Sequence, residues 1–193
     1  MECLVRYLTH PQVKIDPTIP VPQWGLSAAG RGRVVAFAGS GWLSGTTEII
    51  SSSERKAIET AEILARALGL RVEVREAMHE NDRSATGFLP PDEFETAANA
   101  FFADPNIAVR GWERAIDAQA RIVREMEAVL ARPQLGNVLV VGHGAVGTLL
   151  FCHYSQIAIS RAHDQPAGGG NYFTFRRKDR SILHAWRAME IVA

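Results

Sequence analysis

Apolar and polar positions switch repeatedly between a two-residue and a three-to-four-residue period. Residues 3–9 (CLVRYLT) form a β-prone apolar run that stops at His10-Pro11. Pro11 has a fixed φ and no N–H, so the predicted strand leaves its sheet there, with Leu4, Tyr7 and Leu8 able to pack in a core. Prolines at 11, 17, 20 and 22 predict an extended loop over 11–24. Ser27 reads as the N-cap of a helix over 28–37, interrupted by Gly30 and Gly32. A short strand over 47–51 runs into three serines. Ala57, Ala61, Leu64, Ala65 and Leu68 share one face of a predicted helix over 54–68, which Gly69 stops. A strand follows over 71–74. Residues 78–91 are polar, broken by Gly87 and closed by Pro90-Pro91, which excludes a regular element and suits a functional loop. Asp92 caps a helix to about Phe102. Spacings of three and four from Ile116 through Ala120, Val123, Met126 and Glu127 to Leu130 predict a long helix over 112–130. A buried strand over 137–141 leads into a helix over 145–154. Residues 164–170 are glycine-rich and read as a mobile loop. Residues 172–175 and 182–186 read as a hairpin turning at 178–181.

Strands alternating with helices imply an α/β fold: three layers, a mostly parallel sheet with helices on both faces, and an antiparallel edge made by the final hairpin. The chain has 193 residues, 47% of them hydrophobic, which suits one core, and we read 1–193 as a single domain. Lys plus Arg and Asp plus Glu number 21 each, so the surface offers no broad attraction to nucleic acid or an anionic membrane, and any anion site must be local. Cys3 and Cys152 lie in apolar runs and read as reduced core cysteines, without zinc-type spacing. No apolar run approaches the roughly 20 residues of a membrane span, and Arg6 interrupts the first run where a secretory signal would be apolar. The expected location is the cytoplasm.

In such a sheet, ligands bind at the carboxyl ends of the strands. Four loops meet there. They carry His10; Ser51, Ser52 and Ser53 with Arg55 and Lys56; Glu80 with Asp82 and Arg83; and His143, which follows Val138-Leu139-Val140-Val141-Gly142. A neutral imidazole is a competent nucleophile towards phosphorus. Cations and N–H donors can hold the phosphoryl oxygens, and the serine run opens a helix whose N-terminus attracts anions. A carboxylic acid on a loop can protonate a leaving oxygen. His79, His153, His163 and His184 read as surface or packing residues. Trp112 and the Phe101-Phe102 pair read as core.

These motifs, in this order, resemble the histidine phosphatase superfamily, also called the phosphoglycerate mutase-like family. That family opens with a strand running into Arg-His-Gly; the chain has Thr9-His10-Pro11. The family's Ser-x-x-x-Arg-Ala-x-x-Thr-Ala helix start is similar to Ser52 through Lys56, Ala57, Thr60 and Ala61. Its Leu-x-Glu loop is matched by Met78-His79-Glu80, and its late Ser-His-Gly by Gly142-His143-Gly144. The resemblance implies that His10 is the nucleophile and that His143, as imidazolium, binds the phosphoryl oxygens. Glu80 becomes the general acid and then the base. Thr9, Lys56, Arg55, Arg83 and Gly144 become the candidate phosphate-binding residues. It implies no metal and no organic cofactor, and a small phosphorylated substrate as partner.

Two departures from the family pattern bear on activity. Thr9 and Pro11 flank the nucleophile in place of arginine and glycine, and Lys56 stands where the second arginine is expected, with Arg55 one place early. Lysine is a point charge rather than a bidentate fork. The expected function is therefore a phosphomonoester hydrolase acting through phosphohistidine. The alternatives are a decayed phospholigand-binding protein or, less favoured, a phosphomutase. Loop 78–91, region 92–110 and loop 164–170 are expected to form the substrate pocket, with Phe88 and Leu89 either lining it or buried. Gly142 to Gly147 also fits the dinucleotide pattern Gly-x-Gly-x-x-Gly, but too little chain follows for the remaining units of such a fold. Its glycines are read as letting the backbone turn sharply around a phosphate.

Overall fold

A computed structural model describes residues 3–133 and 136–191. Six strands form one sheet: β1 (Leu4–Thr9), β2 (Thr46–Ser52), β3 (Val72–Arg75), β4 (Asn137–Gly142), β5 (Asn171–Arg176) and β6 (Ile182–Ala188). Their order is β3-β2-β4-β1-β5-β6. The first four run parallel, and β5 and β6 close the sheet as an antiparallel hairpin. The expected α/β architecture with an antiparallel edge is present.

Successive strand residues point to opposite faces, and the core divides accordingly. Leu139 and Val141, with Leu8 and Ile49, pack under α1 (Ala28–Ala38) and α2 (Arg55–Leu68). Val138 and Val140, with Val5, Tyr7 and Ile50, pack under α3 (Pro91–Ala103), α4 (Ala115–Leu130) and α5 (Gly144–Tyr154). Cys3 and Cys152 are both free thiols. Among the described residues, no helix is long and apolar enough to cross a membrane.

Several local expectations change. Gly30 and Gly32 do not interrupt α1. Gly30 is there for space, because a Cβ on it would lie 2.2 Å from the Gln12 carbonyl oxygen. Helix α4 starts at Ala115, since Arg114 is extended at the cap; Trp112 lies outside it, and its indole donates to Thr86 Oγ1 at 2.9 Å. Ile116 is 38% exposed, and Glu127 meets Tyr154 and Arg180 at the surface instead of entering the core.

The loop over 164–170, read as mobile, is tied at several points. Thr148 donates to Asp164 Oδ1 at 2.9 Å, Asn171 Nδ2 donates to Pro166 O at 2.8 Å, and Gly170 N donates to His10 O at 3.1 Å. Gly168, Gly169 and Gly170 all have positive φ, a conformation that favours glycine.

Candidate active site

Strands β1 and β4 are parallel neighbours, and their last residues, Thr9 and Gly142, are in register. The residues that follow, His10 and His143, therefore leave the sheet side by side. His10 N donates to Gly142 O at 3.1 Å, and the two imidazoles meet edge to face with centroids 5.2 Å apart.

The His10 ring is fixed by its own loop. Its Nδ1 lies 2.9 Å from Pro11 O. A carbonyl only accepts, so Nδ1 carries the hydrogen and the Nε2 lone pair is free. Burial, reinforced by the nearby Lys56 ammonium and Arg83, lowers the His10 pKa to about 4, which keeps the ring neutral and nucleophilic at neutral pH.

His143 is completely buried. The Tyr7 hydroxyl accepts from His143 N at 3.1 Å and donates to His143 O at 3.2 Å. Its Nε2 lies 2.6 Å from Ser52 Oγ and 3.7 Å from Glu54 Oε1. Its Nδ1 is buried without a hydrogen-bond partner among the described residues. Burial pushes the pKa well below the ordinary histidine value, against the pull of Glu54. The resemblance implied an imidazolium; the free site instead favours the neutral ring, because desolvation outweighs the carboxylate.

The glycines around His143 make room. A Cβ on Gly142 would lie 2.2 Å from Tyr7 Oη, and one on Gly147 2.5 Å from a Tyr7 ring carbon. A Cβ on Gly144 would lie 2.4 Å from Gln165 Nε2. None of the three has positive φ, so the expected sharp backbone turn is replaced by close packing of Tyr7 and Gln165.

Glu80 sits at the N-terminus of α5. Its carboxylate accepts from Ala145 N at 3.1 Å, Val146 N at 3.0 Å and Asn81 N at 3.1 Å, which suits an anion at the positive end of a helix. Its loop is gripped by Arg121, whose Nη1 donates to Ala77 O and His79 O at 2.8 and 2.9 Å. Arg121 also reaches Glu80 O and pairs with Glu113, which in turn accepts from Asp82 N.

The other predicted residues divide. Lys56 faces inward, with its side chain 4% exposed, ion-paired with Glu54 and donating to Val21 O at 3.0 Å. Arg83 stacks over Phe94 and Trp112, 5.1 and 5.7 Å from their centroids, and has no ion-pair partner among the described residues. Arg55 is not brought to the site: its side chain is 62% exposed and its Nε bonds Glu59 one turn along α2. The Thr9 hydroxyl donates to Gln165 Oε1 at 2.7 Å and accepts from Asn171 N at 3.0 Å, which leaves it committed to the glycine-rich loop.

Glu54, Tyr7, Gln165 and Arg121 are site residues that the sequence reading did not assign. Glu54 is the cap of α2, extended at φ −76° and ψ 139°, and is nearly buried. Its Oε1 accepts from Glu80 N at 2.8 Å. Burial opposes its charge; a proton on His143 would pull the carboxyl down most, and with that ring neutral the Lys56 ammonium and the Glu80 N–H still hold it below the usual carboxylate range. The available signal was an acid at a helix cap two residues before a lysine expected to bind phosphate.

A cavity of about 500 Å³ opens beside this cluster; Glu54, Glu80, Arg83, Pro20, Pro22 and Gly87 are in its lining, and His10 and His143 are not. The Glu80 loop lines it as expected. Helix α3 and the glycine-rich loop do not; the proline segment takes their place. Phe88 packs on Trp24, with centroids 5.6 Å apart. Leu89 packs on the core. Among the described residues, no group of three or more His, Cys, Asp or Glu side chains could hold a metal ion.

A family model described as the histidine phosphatase superfamily (branch 1) matches residues 21–185, starting downstream of His10. No curated protein matches the sequence. Among solved structures, a mycobacterial glucosyl-3-phosphoglycerate phosphatase superposes with a TM-score of 0.78 at 22% identity, covering 97% of each chain. Bacillus stearothermophilus YhfR gives 0.79 at 19% identity, covering 95% of each chain. Phosphoserine phosphatase from Entamoeba histolytica gives 0.78 at 14% identity, covering 96% of this chain and 98% of the other. At these identities the structures establish a shared fold.

Proposed function

The chain belongs to the histidine phosphatase superfamily, and on that premise we propose that it hydrolyses small phosphomonoesters through a phosphohistidine on His10. The observation that carries this reading is the His10 ring itself, with Nδ1 held by Pro11 O and a neutral Nε2 beside His143.

The Nε2 lone pair attacks phosphorus and the bond to the ester oxygen breaks. Glu80 lines the adjoining cavity; its carboxylate takes a proton from solvent before the transfer and passes it to the departing alkoxide. Water then enters, Glu80 takes its proton, and the oxygen displaces His10 from phosphorus, releasing inorganic phosphate. Arg83 and Lys56 offset charge on the equatorial oxygens, with His143 beside them. The mycobacterial phosphatase and the Entamoeba phosphoserine phosphatase on the same fold support hydrolysis of a small phosphorylated substrate.

A second reading, a phospholigand-binding protein without turnover, is favoured by two observations. Thr9 serves Gln165 and Asn171, and the Lys56 charge is neutralised by Glu54. Hydrolysis of an aryl phosphate by wild type and His10→Ala separates the two. Turnover lost in the variant supports the phosphatase; phosphate binding without turnover supports the second reading.

A further inference from the structure

Glu54 is a buried acid inside a phosphate site, and the reaction above gives it no task. It joins three parts of that site, since it pairs with Lys56, accepts from Glu80 N, and lies 3.7 Å from His143 Nε2. The charged and titratable groups around the histidine pair come from four places. The start of α2 brings Glu54 and Lys56, and the loop after β3 brings Glu80 and Arg83. The end of β1 brings His10, with Tyr7 behind it, and the entry to α5 brings His143. Two carboxylates therefore match two cations before any ligand arrives. The N-terminus of α5, which could have offered N–H donors to a phosphate, already holds Glu80. A phosphate dianion brings two further negative charges to a site with no surplus cation.

Among the described residues, one buried ring nitrogen of the histidine pair lacks a hydrogen-bond partner. His143 Nδ1 is fully buried and has no partner among the described residues, while Nε2 is engaged by Ser52 and faces Glu54. We propose that the pocket binds a phosphoryl group together with one proton from solvent, and that Glu54 is the positioning residue that imposes this. The inference rests on the phosphatase reading. The proton lies between His143 Nδ1 and a phosphoryl oxygen. Whether it is written as imidazolium with a dianion or as neutral imidazole with a monoanion, the count is the same, and the bound state carries one negative charge fewer. Glu54, on the opposite ring nitrogen, stabilises that extra proton. Substrates are thus taken in the protonation state that dominates below the second phosphate pKa, about 6 for a phosphate ester.

The test is calorimetric titration of the wild-type protein with inorganic phosphate at about pH 8, where the dianion dominates, in two buffers of different ionisation enthalpy. About one proton should be taken up per phosphate bound, and the affinity should fall about tenfold for each further pH unit. Glu54→Gln keeps the shape and removes the charge. Its proton uptake should drop towards zero and its affinity at that pH should rise about tenfold or more. Glu54→Asp should retain the uptake. A wild-type protein that binds phosphate at about pH 8 without proton uptake overturns the inference, and so does a folded Glu54→Gln with unchanged uptake. If Glu54→Gln does not fold, the wild-type proton count decides alone. Failure of phosphate to bind wild type anywhere between about pH 5 and pH 8 overturns the phosphatase reading, and this inference with it.

Discussion

His10 and His143 end neighbouring parallel strands, but the two rings are held in different ways. His10 is fixed by the carbonyl of the next residue and keeps part of its surface open. His143 is wholly buried and fixed by Tyr7, Ser52 and Glu54, which come from distant parts of the chain. A nucleophile has to reach and then leave phosphorus, so a local restraint on the far nitrogen suits it. A binding residue has to stay still, and long-range partners give that rigidity. Under the proposed mechanism, the same residue type at equivalent strand ends takes two tasks from its surroundings.

The largest effect belongs to His10→Ala, which should lower aryl phosphate turnover about a thousandfold or more while leaving inorganic phosphate bound. Equal loss of binding would make His10 a holding residue too. His143→Gln should cost about a hundredfold in turnover, read from kcat under saturating substrate.

Both rings have depressed pKa values, so both should also be visible in stability against pH. The unfolded chain, with histidine near 6.5, binds more protons than the folded one, so stability is complete above about pH 6.5 and is lost as pH falls towards about 4. Each ring contributes a slope of about 1.4 kcal/mol per pH unit within its window. Thermal melts across that range should therefore flatten in His143→Gln.

Tyr7→Phe leaves His143 N–H buried and unpaired, and should cost about 1–3 kcal/mol in denaturant titration, with a smaller fall in turnover. Arg55→Ala is the control. Its exposed pair with Glu59 is worth about 0.3–0.5 kcal/mol, and turnover should not change. A large activity loss there would return Arg55 to the phosphate site.

The sheet and its helices were legible because alternation and three-to-four spacing report burial directly. The start of α4 was not, because Trp112 continues an apolar spacing while serving an indole hydrogen bond outside the helix. The histidine pair was legible because both residues end apolar strands. The Glu54–Lys56 pair was not, since residues two apart on a helix do not face each other. Glu54 meets Lys56 only because it stands at the cap in an extended conformation, which sequence spacing does not reveal. The motif register put Lys56 at the arginine position and Arg55 one place early. Helical phase separates them: Lys56 shares the buried side of α2 with Ala57 and Thr60, while Arg55 lies on the Glu59 side.

Arg121 sets a boundary in the loop that carries Glu80. One guanidinium binds three carbonyls of the segment, at Ala77, His79 and Glu80. Main-chain oxygens are the same in every amino acid, so this grip fixes the length of the segment and is indifferent to most of its side chains. Beyond it, Asp82, Arg83, Ser84 and Gly87 line the cavity mouth. Under the proposed mechanism, point changes past residue 80 can therefore trade one leaving group for another without moving Glu80, whereas an insertion or deletion before residue 80 would shift it.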